Sequence, residues 1–207
     1  MINPYITIKE NGHKYLYTSE YFGFIHPTVQ FLGPVTLGLG VIIEENCILH
    51  GGNFLGHQAV MRPGCVLGKG SELRVKAWMA ENSWVGQNSV IYNYANVSMG
   101  TVIEDYVYFG VRSTTTNAND IVLHRNRPFI PNPVRIKSGT RIATHVCINP
   151  GVTIGRNSLV GAGSLVTKDV PSHEIWFGSP ASKRGEVDKN DKPSAWMDSE
   201  VEKANRR

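Results

Sequence analysis

Histidine is the side chain best suited to take a proton near neutral pH, and this chain has seven. Their settings differ. His13 and His173 lie outside the repeating part of the sequence described below. His26, His50 and His57 fall at its early turns and read as solvated corner residues, and His145 falls at a later turn. His124 stands in an insertion, TTTNANDIVLHRNRPFIPNPVR at 114–135, beside Asp120, Arg125 and Arg127. A long excursion from otherwise regular structure usually carries function, which makes this segment a candidate for acid–base or anion-binding chemistry. Cys47 and Cys65 are eighteen residues apart at a small-residue position, so core packing accounts for them better than redox or metal work. No histidine spacing recurs in the manner of a shared metal site, and no metal is expected.

What must position these residues is a ladder of period six. From Ile25, every sixth residue through Phe109 is large and apolar: Ile25, Phe31, Leu37, Ile43, Leu49, Leu55, Met61, Leu67, Leu73, Met79, Val85, Ile91, Val97, Ile103 and Phe109. The register breaks after Ser113 and resumes at Ile136, continuing through Val166. Four residues after each anchor sits a small or β-branched residue, Asn53 being the one out of type. A helical face repeats near 3.6 residues and a plain strand at two. Period six instead means a short strand, a corner and another short strand. Three such units close a coil of eighteen residues, and twenty-one units predict seven stacked coils, five before the break and two after. Strands of successive coils pair at about 4.8 Å, and stability comes from neighbouring repeats. The resulting expectation is an all-β parallel β-helix over 25–171, with the inserted loop at 114–135.

Residues 1–24 carry Asn11-Gly12 between two β-prone runs, which predicts a hairpin capping the first coil. Residues 172–207 read as a strand that leaves the prism, then a short helix capped by Ser194.

Outward positions carry Ile48, Val66, Trp84 and Val102 at intervals of eighteen, and Ile42, Val60 and Trp78 in a second stack. Apolar stripes of this length predict contact surfaces between subunits. The formal net charge of +4 is mild and diffuse. It suits a protein handling phosphorylated small molecules and does not argue for nucleic acid. No apolar run approaches the length that spans a bilayer, and the N-terminus lacks a secretion signal. Three cysteines suggest no disulfide framework. A cytoplasmic protein is expected.

The repeats resemble those of the hexapeptide-repeat acyltransferases, whose β-helix is left-handed. The most specific stretches are THVCINPGVTIG at 144–155, GAGSLVTKDVP at 161–171 and GSPA at 178–181, similar to the ends of galactoside and maltose O-acetyltransferases. The stretch NVSMGTVIEDYVYFG at 96–110, with Thr116-Asn117 after it, is more similar to N-acetyltransferases of nucleotide-linked amino sugars. The resemblance implies a homotrimer with acetyl-CoA in the groove between prisms and a small-molecule acceptor under the loop. It places Thr144 and Ala162 along the pantetheine arm and Thr167 and Lys168 toward the nucleotide end. Where the family often carries a cation after the GSPA-like turn, this chain has Ser182, then Lys183 and Arg184, either of which suits a phosphate.

The base stays open between His124 and His145, the latter lying beside the implied donor site. In the O-acetyltransferase relatives the catalytic histidine belongs to the loop, but the matching position here is Asp120, which points away from O-acetylation. Some amino-sugar relatives use no side-chain base. In them, Asn93 and Asn117 match residues near the acceptor, and Asp120 and Arg125 join these as expected acceptor contacts. Two other readings of such a prism are a zinc-dependent hydratase and a non-catalytic scaffold.

Overall fold

The computed structural model describes the backbone of residues 5–8 and the chain from 23 to 193. The period-six ladder forms a left-handed parallel β-helix of about eight turns. Among the described residues there is no helix, and so none long and apolar enough to cross a membrane.

The prism has three faces, taken here in the order the chain visits them. The first begins at Phe24–Ile25 and has eight strands; the second begins at Gln30–Phe31 and has seven. The third begins at Val35–Gly38 and has ten, of which Tyr5–Ile8 at one end and Ala181–Glu186 at the other are antiparallel. Strand partners are eighteen residues apart before the insertion, as in Trp78↔Asn96 and Trp84↔Val102. Corners between faces are numbered the same way: the third corner joins the third face to the first face of the next turn.

Each six-residue unit divides its work by position. The anchor points inward, and Leu37, Leu49, Met61, Leu73, Ile91, Ile103 and Phe109 are fully buried. Each such side chain contributes roughly 2 kcal/mol by leaving water. Three residues on, the chain turns through a left-handed conformation, filled by Gly at 40, 64, 70, 100, 139, 151 and 163 and by Asn at 46, 82, 88 and 157. These are the residues that adopt positive φ most readily. Next comes the small buried residue. On the second corner its hydroxyl often serves the backbone: Ser89 Oγ donates to Glu104 O at 2.8 Å and accepts the Val107 N–H at 2.9 Å. Asn53, out of type in the sequence, does the same work. Its side-chain amide donates to Gly68 O and Ser71 O and its oxygen accepts the Gly51 N–H.

Two boundaries differ from the sequence reading. First, Thr114–Thr115 is a strand of the first face, pairing with Asn96 and Cys147, and Arg135–Ile136 is a strand of the second. The excursion therefore covers 116–134 rather than 114–135. Thr115 takes an anchor position although it is polar, because Ser98 and Thr101 answer its hydroxyl at 2.9 and 3.2 Å. It also accepts the Ser98 N–H at 2.8 Å. Second, Glu174–Gly178 does not leave the prism. It pairs parallel with Leu159–Val160 and buries Trp176, and the Ile154↔Val170 bridge extends the second face. With Thr114–Thr115, these supply the three units of the turn beyond the expected seven. The ladder hides it because the step from Val166 to Val170 is two residues short. There the Asp169 carboxylate accepts the Thr153 N–H at 2.8 Å. At the other end, the strand Tyr5–Ile8 pairs with Val35–Gly38 and covers that edge. The rest of the expected hairpin and the helix from Ser194 lie outside the described residues.

Candidate functional site

The third corner gathers half of the expected donor-side residues, Thr144, Ala162 and Arg184. Asn93, Val111, Thr144 and Ala162 occupy the same corner position on successive turns. They are tied by Arg112 N–H to Asn93 O (3.0 Å), His145 N–H to Val111 O (2.9 Å) and Gly163 N–H to Thr144 O (2.9 Å). The Thr144 hydroxyl donates to Val111 O at 2.9 Å, so it braces the corner. His145 holds the left-handed position (φ 56°). Its imidazole is exposed and has no hydrogen-bond partner among the described residues. Above it, Ala162 and Gly163 are exposed, and the space where a Gly163 side chain would stand is open. An extended amide chain can lie along such a backbone edge.

The close stacking of this corner depends on Gly110. A side chain there would come 2.5 Å from Ala143 O.

The terminal hairpin, Glu174–Gly178 with Ala181–Glu186, separates the two cations that the sequence left equivalent. Lys183 Nζ donates to Glu174 Oε1 at 2.8 Å and Glu186 Oε1 at 3.1 Å. The pairing with Lys183 and the Trp176 indole N–H hold the Glu174 carboxyl below its ordinary range, and the two carboxylates raise the Lys183 ammonium. Arg184 instead lies over the Phe177 ring at 5.2 Å and has no carboxylate partner among the described residues. Phe177 packs where a Gly161 side chain would be, and Gly178 N–H donates to Ser164 Oγ at 3.2 Å. Arg184 thus arrives at the third corner beside Ala162.

The remaining expected residues sit elsewhere. Thr167 and Lys168 follow Val166 at the first corner of the last turn, where the Lys168 ammonium lies 5.3 Å from the Trp176 ring. The excursion also leaves and rejoins at the first corner. Asn132 N–H donates to Asn117 O (2.7 Å) and Gly151 N–H to Asn132 O (2.8 Å), closing its base. Asp120 is gripped by both terminal nitrogens of Arg127, each at 3.1 Å. His124 and Arg125 are exposed. The structure therefore brings together Asn93, Thr144, His145, Ala162 and Arg184, and places Asn117, Asp120, His124, Arg125, Thr167 and Lys168 at another corner.

A pocket of about 310 Å³ opens at the second corner, lined by Asn88, Tyr106, Arg141, Asn157 and Asp191. Arg141 pairs with Asp191 at 2.7 Å, and the Asn157 amide donates to Asp191 O at 2.7 Å. None of the expected site residues lines it.

Four features of the site escaped the sequence reading. Arg127 was not matched to Asp120, and Lys76, Tyr94 and Arg112 were not singled out although they share the third corner with His145. The signal was present. Stepping by eighteen from Lys76 gives Tyr94 and Arg112, all at turn positions where the other corners mostly carry Gly or Asn.

The model of the family described as bacterial transferase hexapeptide (six repeats) matches residues 133–168. Galactoside O-acetyltransferase of Escherichia coli (strain K12) is 34% identical over 146 residues, 61% of this chain and 71% of that protein. The chain belongs to the hexapeptide-repeat acetyltransferases. Galactoside O-acetyltransferase of Lactococcus lactis subsp. lactis (strain IL1403) is 33% identical over 108 residues, 47% of the chain and 52% of that protein. Among solved structures, the hexapeptide-repeat containing acetyltransferase VCA0836 from Vibrio cholerae aligns at a TM-score of 0.53 with 27% identity, covering 59% of this chain and 74% of that one. The matched segment of this hexapeptide-repeat acetyltransferase includes Thr144, His145, Ala162, Thr167 and Lys168.

Proposed function

We propose that this acetyltransferase moves the acetyl group of acetyl-CoA onto the amino group of a nucleotide-linked sugar, as a homotrimer in the cytoplasm. The carrying observation is the third corner itself, an exposed edge with His145 in its middle and the uncommitted Arg184 at one end. The pantetheine arm runs past Ala162 and Thr144, and Arg184 rather than Lys183 takes the 3′-phosphate, because Lys183 already holds two carboxylates. The acceptor nitrogen attacks the thioester carbonyl, forming the N–C bond while the C–S bond breaks. His145 takes the proton that the nitrogen gives up, and the departing thiolate leaves as CoA after protonation. Corner N–H groups supply dipoles for the developing oxyanion.

Nitrogen is favoured over oxygen by Asp120. It stands where the O-acetyltransferases carry histidine, and its bidentate contact commits both carboxylate oxygens to Arg127. The second reading, O-acetylation of a sugar, is favoured by the 34% identity to galactoside O-acetyltransferase.

Trimer formation is supported by the apolar outward stacks. Trp78 and Trp84 are 39% and 37% exposed, above and below Val60, Val66 and Val102. It also explains the split site. The first corner of one copy, with His124, Asn117, Arg125 and Lys168, would face the third corner of its neighbour.

The test is thiol release from acetyl-CoA with a panel of nucleotide-linked sugars, each with and without an amino group. Release confined to the amino sugars supports the reading. Release with hydroxyl sugars alone supports the second.

A further inference from the structure

Corner residues at positive φ are Gly, Asn or Gln at nearly every turn of the prism. The third corner breaks that rule on four successive turns, with Lys76 (φ 56°), Tyr94 (60°), Arg112 (55°) and His145 (56°). A Cβ makes this conformation unfavourable for residues such as Lys, Tyr and Arg, and residues held in it cluster at functional sites. The second corner departs from it only at Tyr106 and His173, on separate turns, so the run of four is the informative part. Before these four turns the same corner carries Gly40 and Gln58, and after them Gly163.

The side chains of the first three turns converge. Tyr94 is 49% exposed, with the Lys76 ammonium 5.5 Å and the Arg112 guanidinium 5.6 Å from its ring centroid. Neither cation has a carboxylate partner among the described residues. By contrast, Arg62 pairs with Glu44 and Glu81, and Arg74 with Glu72. Two uncompensated cations held on one aromatic ring form a clamp for a doubly anionic group. The next turn is His145, one strand spacing, about 4.8 Å, farther along.

We propose that Lys76, Tyr94 and Arg112 bind the nucleoside diphosphate portion of the acceptor, so that its sugar reaches His145 while the acetyl donor approaches from the Arg184 end. This rests on the acetyl-transfer reading above. Lys76 and Arg112 contact the phosphate oxygens, and Tyr94 is a positioning residue that holds the two cations in reach of one ligand.

The experiment is calorimetric titration of CoA-saturated protein with UDP, dTDP and GDP, so that the donor site is already filled. It is run on the wild type and on Lys76→Asn, Tyr94→Asn and Arg112→Asn. Asparagine is the residue that other corners use, at Asn46, Asn82, Asn88 and Asn157, so the variants retain the turn. At least one diphosphate should bind the wild type, and Arg112→Asn should weaken it tenfold or more while leaving CoA affinity within about twofold, an electrostatic loss that deepens at low salt. Equal diphosphate affinity in wild type and all three variants overturns the proposal, as does absence of binding with CoA affinity and acetyl transfer intact. A parallel loss of CoA affinity in Arg112→Asn also overturns it, by assigning the clamp to the donor. Failure of CoA to bind the wild type removes the acetyl-transfer reading, and the proposal with it.

Discussion

Asp120 and Arg127 are joined by two contacts of 3.1 Å across the inserted segment. They are seven positions apart, so the pair closes a small ring within the excursion and fixes the backbone that carries His124. A carboxylate so engaged organises the loop. Asp120→Asn should therefore keep turnover within about fivefold of wild type, because one charge-assisted contact is lost and a neutral one remains. Steady-state kinetics check this. A loss approaching a thousandfold would instead make Asp120 a participant in proton transfer.

His145→Asn preserves the left-handed turn while removing the base. Turnover should fall by about a hundredfold, within the usual range for general-base assistance. His124→Ala should cost less than tenfold on the same grounds. The reverse order of the two effects would transfer the role to the loop.

Arg184 and Lys183 are neighbours in sequence with opposite engagements, and their substitutions should separate accordingly. Arg184→Ala should weaken CoA about tenfold, in line with a charge-assisted phosphate contact. It should also abolish the preference for CoA over 3′-dephospho-CoA. Lys183→Ala should leave that preference intact. Isothermal titration with the two ligands reads both effects, and an unchanged preference in Arg184→Ala would remove it from the phosphate site.

Glu104 bridges the turns on either side of the excursion. One oxygen accepts from Lys137 at 2.8 Å, and the other accepts the Ser138 N–H and hydroxyl at 3.0 and 2.9 Å. Burial alone would raise its carboxyl, but these contacts outweigh burial and hold it below the ordinary range. A lowered folded-state value means the stabilisation is fully present above about pH 4.3. It is lost as pH falls through the lower value. Glu104→Gln should cost on the order of 1 kcal/mol at pH 7, since the contacts are partly solvated. Thermal melts of wild type and variant should converge toward pH 3. A constant gap across that interval would show that the charge is not responsible.

Most of the fold was legible because each inward position is filled by one kind of side chain, and period six has no helical or simple-strand counterpart. The boundaries failed where a position was filled by other means. Thr115 occupies an apolar site because Ser98 and Thr101 meet its hydroxyl, a relation between adjacent turns that no six-residue step displays. Trp176 falls out of register because Asp169 replaces part of a strand. Of the candidate site, motif similarity singled out Thr144, His145 and Ala162, which share one corner. The distinction between Lys183 and Arg184 needed the hairpin partners, Glu174 and Phe177. The Lys76–Tyr94–Arg112 clamp is visible at a step of eighteen but not six, since only whole turns return to the same corner.

The central claim is that the third corner carries acetyl from CoA to an amine. Its most direct measurement is product analysis by mass spectrometry and NMR, after incubating the protein with acetyl-CoA and a nucleotide-linked amino sugar. One acetyl group should be added to the sugar nitrogen, formed in wild type and nearly absent in His145→Asn. An acetyl group found on oxygen, or equal product from the variant, would contradict it.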